Sequence, residues 1–428
     1  MPKKIAVIGS GISGLTCAYE LQKAGFDVEV FEKEKTVGGR MATRKIGFFP
    51  FDIGADHLCN VYAEMKKYCE ELHIEWVPMD FLGYQVFRGG KFYPLHKGVS
   101  WISRARLATA LFFTKETDTF LNLTKLADLD TEDAYTYMTK IAGKEVADYL
   151  LDSFVSTYQF HRAHEISKAA LVGIMSSIKY DNVKWNLHRM KGGMSALPEA
   201  LAAKLTVRRE TPVTAVKKRG DTVVVLVNGE EKIFDGVVFG ATANVVKKLL
   251  EQQTPEQKKV LEGTRFASTL SLSFVIPKGI MPHNAIYWVP YVESKKISGM
   301  VNEMMKGDES AHEGMQVVNC WLHEEFAKTI ISGSDQEIFD AVKEEFLRVS
   351  PWFDTTKHTV SLYDVQRWSE AMPVFSKGHI TRVKEFLEKG QGEGNIWLTG
   401  DYLNSPWTEG ALRCGQRVAL DVQSTFSL

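Results

Sequence analysis

The chain has 428 residues, 44% hydrophobic and 25% charged, with a formal net charge of −1. That length exceeds one ordinary core, so two or three lobes of soluble globular composition are expected. The charge balance lacks the basic footprint that phosphates demand, which excludes a general nucleic-acid partner. The five cysteines, Cys17, Cys59, Cys69, Cys320 and Cys414, are widely spaced and form no C-x-x-C. They point away from a disulfide framework or metal site and toward a reducing, cytoplasmic setting. The first apolar run is too short for a signal peptide, and no stretch approaches the roughly 18 apolar residues of a spanning helix.

Lys4 to Ile8 is a β-branched apolar run, the pattern of a buried parallel strand. Gly9, Gly11 and Gly14 follow in GSGISG, and Ile12, Leu15, Ala18 and Leu21 then recur on one helical face. Gly25 stands at the expected helix end, Val28 to Phe31 is a second strand, and Glu32 follows it. Each part has a physical task. Gly9 permits a tight turn, Gly11 lets the backbone approach a pyrophosphate, and Gly14 lets the helix pack closely on the sheet. Ile12 and Ser13 open the helix, whose N-terminus offers unpaired N–H groups and a positive dipole end. Glu32 lies 18 residues after Gly14, where its carboxylate can accept from a ribose hydroxyl pair. This is a dinucleotide-binding unit, and by itself it serves NAD and FAD alike.

After Glu32 the chain runs KEKTVGGRMATR. Gly38, Gly39 and Arg40 resemble the second signature of the flavin amine oxidase superfamily, which also contains protoporphyrinogen oxidases and phytoene-type desaturases. The resemblance implies FAD, with the Gly39 backbone close to the cofactor and the Arg40 fork on a phosphate. Phe51 to His57, FDIGADH, resembles the D-x-G segment that lies beside the isoalloxazine. It assigns Gly54, Ala55, Asp56 and His57 to the cofactor, with active-site and structural roles both open for His57. Lys191-Gly192-Gly193-Met194 precedes a helix, and Val213 falls where the family places a valine whose backbone meets the adenine. Residues 222–227 and 232–234 flank Asn228-Gly229, a hairpin turn, and Gly236 to Gly240 returns as an apolar strand.

At the other end, Asn395 to Thr399 reads as a strand leading to Gly400-Asp401. WTEGALRCGQRVA, Trp407 to Ala419, resembles the family's closing motif. The resemblance places Asp401 at the ribityl or pyrophosphate region. It starts a helix near Gly410 and Ala411 whose dipole faces the flavin's pyrimidine edge. Most members carry Gly-Glu here; Gly-Asp-Tyr is closer to plant-type carotenoid desaturases. Trp407 either walls the substrate site or packs in a core.

The fold expected is α/β: a Rossmann-like FAD-binding lobe with an inserted α+β substrate lobe of mixed sheet plus helices. The FAD-binding lobe would take residues 1–80, 188–262 and 390–428, and the substrate lobe 81–187 and 263–389. The first insertion reads as helical after about Arg104, with a helix start at Asp130 to Asp133. The second opens with a strand at Ser268 to Ile276 and holds a helix near Asp335 to Val349. Residues 130–171 resemble the helical part of protoporphyrinogen oxidases and desaturases. Arg367-Trp368 with Pro373 and Gly378-His379 resembles the family's W-x-x-x-x-P-x-x-x-G-H strand, which makes Trp368 a further candidate.

No cysteine occurs between Trp368 and His379, which implies non-covalent FAD. The strand near residue 270, STLSLSF, lacks the lysine of amine oxidases, and Trp407 replaces the tyrosine of their aromatic cage. The activity expected is therefore an oxidase or desaturase taking a hydride from an apolar, cyclic or polyunsaturated molecule such as a porphyrinogen or isoprenoid. Oxygen, a quinone or another carrier would reoxidise the flavin. An amine oxidase, or a non-catalytic flavoprotein acting as redox sensor or partner, remains an alternative. An NAD-dependent dehydrogenase is disfavoured by GGR and Gly-Asp. His57, Trp368 and Trp407 are the catalytic candidates. From Phe81 to Lys115 there is no Asp or Glu, while Arg88, Lys91, Lys97, Arg104, Arg106 and Lys115 are interleaved with aromatics. Residues 88–115 read either as a surface for an anionic apolar substrate or a membrane, or as a solvated face over a core.

Overall fold

Five parallel strands carry the glycine loop, in the order Thr206–Arg208, Asp27–Phe31, Lys4–Ile8, Gly236–Phe239 and Ile396–Leu398. The computed structural model describes residues 1–46, 49–114, 118–178, 185–307 and 311–426. Ile5 to Ile8 are buried, as a central parallel strand covered on both faces requires. One cover is the helix Ile12–Lys23; across it runs the closing helix, Thr408–Thr425. The two helices meet so closely that a Cβ at Gly415 would stand 2.3 Å from the Ser13 carbonyl oxygen. The first helix ends at Lys23, and Gly25 turns the chain back with φ +91°.

A three-stranded antiparallel sheet, Val213–Arg219, Thr222–Val227 and Glu230–Phe234, lies beside the parallel one. Asn228 and Gly229 both adopt positive φ, +51° and +82°, as a two-residue hairpin turn demands.

The larger sheet is mixed and eight-stranded. Its long members, Arg265–Pro277 and Ser361–Val374, pair antiparallel, and Met315–Leu322 flanks the first of them. Ile297–Asn302 and Ala285–Trp288 continue the sheet, and Ala285–Trp288 runs parallel to Gly83–Arg88. The hairpin Lys91–Pro94 closes that edge. Helices Trp101–Phe113, Ala134–Ala142 and Lys168–Ile178 pack around a helical run from Lys144 to Tyr158, which contains a π turn at Ala147–Leu151. The first of these helices begins three residues before the expected position, capped by Ser100. The acidic start at 130–133 resolves to Asp133, whose side chain accepts from Thr136 N–H at 2.8 Å. Lys115 of the basic segment lies outside the described residues.

Candidate active site

The glycine loop forms an open cradle. Gly9 leaves its strand at φ +99° and donates its N–H to Phe31 O at 2.8 Å. A Cβ at Gly14 would lie 2.3 Å from Gly9 O, so the helix start is pressed onto the turn. Gly11 and Gly39 face the other way. A Cβ on Gly11 would meet only Gly240 O, and one on Gly39 only Gly11 Cα, each at 3.7 Å. Gly38 N–H donates to Ser10 O at 2.9 Å and binds the two loops together. No side chain caps the helix that begins at Ile12, Ser13 and Gly14, so its first N–H groups remain for a ligand. The Ser13 hydroxyl touches that of Thr399. Glu32, at the end of its strand, accepts from Ser10 N–H at 2.9 Å and from Glu34 N–H at 2.9 Å, one on each carboxylate oxygen. Thr211 N–H donates to Glu32 O at 2.8 Å, which brings Val213 to the same end of the sheet.

Opposite the cradle, Arg40 places Nη2 2.9 Å from Asp401 Oδ1 and Nη1 2.7 Å from Asp401 Oδ2. The fork expected on a phosphate is thus directed at the other acidic candidate, and Nη1 also donates to Ala371 O at 2.9 Å. The Arg40 carbonyl accepts from Ala55 N–H at 2.8 Å. A Cβ at Gly54 would stand 2.1 Å from that same oxygen, so this approach admits only glycine. Trp368 donates its indole N–H to Ile53 O at 2.9 Å; its polar atom is spent on holding the Gly54 segment in place. Past Gly400 and Asp401, the closing helix starts at Thr408 after Trp407, again without a side-chain cap, and Ala411 N–H returns to Trp407 O at 2.9 Å. Gly410 packs so tightly that a Cβ would lie 2.1 Å from Ser405 Oγ.

Two features escaped the sequence reading. The first is a buried ionic cluster. Lys306 Nζ lies 3.0 Å from Asp52, 2.6 Å from Asp56 and 2.8 Å from Glu303. Burial disfavours its ammonium, but the three carboxylates outweigh that and hold its pKa well above the ordinary value. Burial likewise opposes ionisation of Asp56, yet Lys306 and His57 win and its pKa is lowered. Glu303 is the loser: burial pushes it up to about 8 against the pull of Lys306. His57 Nδ1 stands 3.4 Å from Asp56 Oδ2, so the cluster ends on this histidine.

The second feature is an aromatic cluster. The His57 ring meets Tyr158 edge-on at 5.8 Å, Tyr158 lies 5.1 Å from Phe154, and Phe154 lies 6.1 Å from Trp407. Tyr84 and Trp288, from two paired strands of the large sheet, close it at 4.9 Å from one another. The buried Tyr158 hydroxyl lies beside the Trp288 indole nitrogen and the Tyr84 hydroxyl and interacts with both, though without full hydrogen-bond alignment. In such a place an unpaired polar atom costs about 1–3 kcal/mol unless a ligand meets it. A Lys in EMMKGDES reads as a surface residue, and Tyr84, Tyr158 and Trp288 stand on separate elements; the strand Ala285–Trp288 is apolar throughout, so no local pattern singles them out.

A parallel-sheet dinucleotide lobe joined to a mixed-sheet lobe, with a glycine cradle, an acid at the end of the second strand and an uncapped closing helix, defines a flavin-dependent oxidoreductase fold. Residues 12–423 match the family described as flavin containing amine oxidoreductase, and the chain belongs to that family. It is 23% identical over 442 aligned positions to prenylcysteine oxidase 1 of Mus musculus, covering 95% of this chain and 79% of that protein. It is 28% identical over 161 residues to protoporphyrinogen oxidase 2, chloroplastic/mitochondrial, of Arabidopsis thaliana, a match spanning 36% of this chain and 32% of the plant protein. The chain thus spans about a third of that plant relative's length. A solved structure assigned to a protoporphyrinogen oxidase from Exiguobacterium sp. 255-15 superimposes with TM-score 0.78 at 16% identity, covering 99% of each chain. Among the described residues no helix is long and apolar enough to cross a membrane.

Proposed function

We propose that this protein is an oxidase or desaturase that binds FAD non-covalently and oxidises an apolar, cyclic or polyunsaturated molecule such as a porphyrinogen or an isoprenoid. The aromatic cluster between His57 and Trp407 carries the reading. Its rings are mostly apolar, with the Tyr84 and Tyr158 hydroxyls, the indole nitrogens of Trp288 and Trp407 and the His57 ring as its few polar points, which suits a flat or extended carbon skeleton with few polar groups.

The cofactor fits the residues present. Gly11 and Gly39 leave backbone space for a pyrophosphate, the N-terminus at Ile12–Gly14 supplies donors, and Glu32 holds its carboxylate for a ribose. Val213 stands where an adenine would meet backbone, and Gly54, Ala55 and the helix start at Gly410 and Ala411 face the ring end. FAD, when bound, supplies a hydride acceptor at N5. The chain's own residues do the rest. Phe154, Trp288 and Trp407 exclude water and lay the substrate flat. Asp56, kept ionised by Lys306, holds one edge of His57, leaving its second ring nitrogen to take the proton a substrate sheds with the hydride. Trp368 is a positioning residue, acting through Ile53. The two lobes, residues 1–80, 188–262 and 390–428 against 81–187 and 263–389, would enclose the site.

Purified protein should be yellow, and acid precipitation should leave all its flavin in the supernatant. Under anaerobic conditions a porphyrinogen or a polyene should bleach the flavin band, and simple amines should not. A colourless protein that refuses FAD would end the reading. The family's name keeps amine oxidation as a second reading. Against it, the buried strand Arg265–Pro277 carries no lysine. Hydrogen peroxide released on adding amines would favour it.

A further inference from the structure

We propose that the outer face of the helix Trp101–Phe113 docks on an anionic lipid bilayer. An ordinary surface helix turns polar residues outward. This one does the reverse. Its buried position is Ser103, while Trp101, Phe112 and Phe113 are exposed by 71%, 77% and 77% and Ile102 by 48%. Ala105 and Ala108 are also exposed, so Trp101, Ala105, Ala108 and Phe112 form an apolar strip along the outward face, flanked by the exposed Arg104 and Arg106.

The helix is firmly seated on its inner side. Glu145 accepts from Ser100 N–H at 3.1 Å and from Ser100 Oγ at 2.6 Å, and Arg88 joins the same carboxylate at 2.6 Å. Leu107 and Leu111 pack against the helical core behind it. The apolar exposure is therefore a property of a held helix.

Charge decides what covers this face. Residues 81–114 contain no Asp or Glu, and Lys91, Lys97, Arg104 and Arg106 are all exposed. Basic side chains around exposed Trp and Phe match an interface of acyl chains below anionic headgroups. A second copy of this chain would bring the same positive charges together and repel.

The test is flotation of the holoprotein with two kinds of vesicle, pure phosphatidylcholine and equal parts phosphatidylcholine and phosphatidylserine. Binding to the mixed vesicles is expected, weakened several-fold by high salt. The variant Trp101→Ser/Phe112→Ser/Phe113→Ser should lose at least about tenfold in affinity. The variant Lys97→Glu/Arg104→Glu should lose a similar factor for mixed vesicles only. Unchanged flavin spectra would show that both variants fold. Equal binding to neutral vesicles, or undiminished binding by either variant, would overturn the proposal. So would a wild-type dimer that the triple variant converts to a monomer without any vesicle binding.

Discussion

Arg40 and Asp401 face each other across 361 positions of sequence through two parallel contacts, 2.9 Å and 2.7 Å long. The pair ties the loop after the second strand to the turn before the closing helix. Asp401 is 7% exposed at its side chain and Arg40 is 32% exposed, so the pair is only half sheltered. Asp401→Asn keeps the shape but loses the ion pair. We expect FAD affinity to fall by at least about tenfold with a stability loss within about 1–2 kcal/mol. Titration of apoprotein with FAD, alongside thermal unfolding, measures both; unchanged affinity would remove the pair from the binding site.

Gly54 meets backbone at the same distance at which Gly410 meets a side chain: a Cβ there would collide with the Arg40 carbonyl oxygen at 2.1 Å and its carbon at 2.9 Å. Backbone cannot retreat as a side-chain end can. Gly54→Ala should therefore force residues 53–57 away from Arg40 and displace His57. The expected outcome is a loss of about 2–4 kcal/mol and weak flavin retention. A variant that purifies yellow with wild-type melting would show that the approach is looser than it looks.

Local logic explains which parts of this site can be read without a structure. Gly9, Gly11, Gly14 and Glu32 act within one strand-turn-helix-strand unit, so spacing alone exposes them. Gly54 and Asp401 were visible through motif resemblance, but their bond to Arg40 was not, because nothing local signals a partner 361 positions away. Lys306 shows the limit most clearly. Glu303 stands one turn before it in the short helical segment Glu303–Lys306, but Asp52 lies 254 positions away, and only the fold brings it and Asp56 to the same ammonium. Trp368 shows the converse: its motif marked it as a catalytic candidate, whereas its indole nitrogen is committed to Ile53.

Glu409 binds two ends of the lobe. It is fully buried, accepts from Glu64 N–H at 3.0 Å and Met65 N–H at 2.9 Å, and pairs with Arg413 at 2.8 Å. The two N–H groups are orphan donors at the start of the helix Ala63–Glu71. Glu409→Ala would leave them buried without acceptors and Arg413 without its partner. Destabilisation of about 3–5 kcal/mol is expected by denaturant titration, and Glu409→Gln should recover part of it.

Glu303 makes stability depend on pH in a window of its own. Its folded pKa is raised to about 8, above the ordinary glutamate value near about 4.3. The folded state therefore holds a proton that the unfolded chain has lost, and this contribution is full at low pH and disappears as pH rises through 8. The buried histidines His161, His323 and His379 are pushed by burial to about 4, about 3 and about 4. They act in the opposite sense, costing stability only as pH falls below about 6.5. Between about 6.5 and 8 Glu303 dominates, facing Lys306, Asp52, Asp56 and, beyond Asp56, His57. Wild-type stability should decline across that window by on the order of 2 kcal/mol, while Glu303→Gln should stay level. Parallel curves for the two proteins would show that Glu303 ionises normally.

Variants at Tyr158 and Trp407 would separate an effect on substrate from one on cofactor. Tyr158 reaches His57 on one side and, through Phe154, Trp407 on the other. Its hydroxyl is buried beside Tyr84 and Trp288 without a well-aligned partner, and burial pushes that phenol's pKa well up, so it stays a neutral donor. Tyr158→Phe removes a poorly satisfied polar atom, so the protein should stay close to wild-type stability. A substrate that meets this hydroxyl should bind about tenfold more weakly to the variant, seen as a higher KM with kcat little changed. Trp407→Ala empties one wall and should cost about 3 kcal/mol of stability and more in kcat than in KM, because the substrate is no longer laid flat. FAD affinity should change little in Tyr158→Phe. If instead flavin binding weakens there and steady-state constants do not move, the cluster serves the cofactor, and the substrate must lie elsewhere.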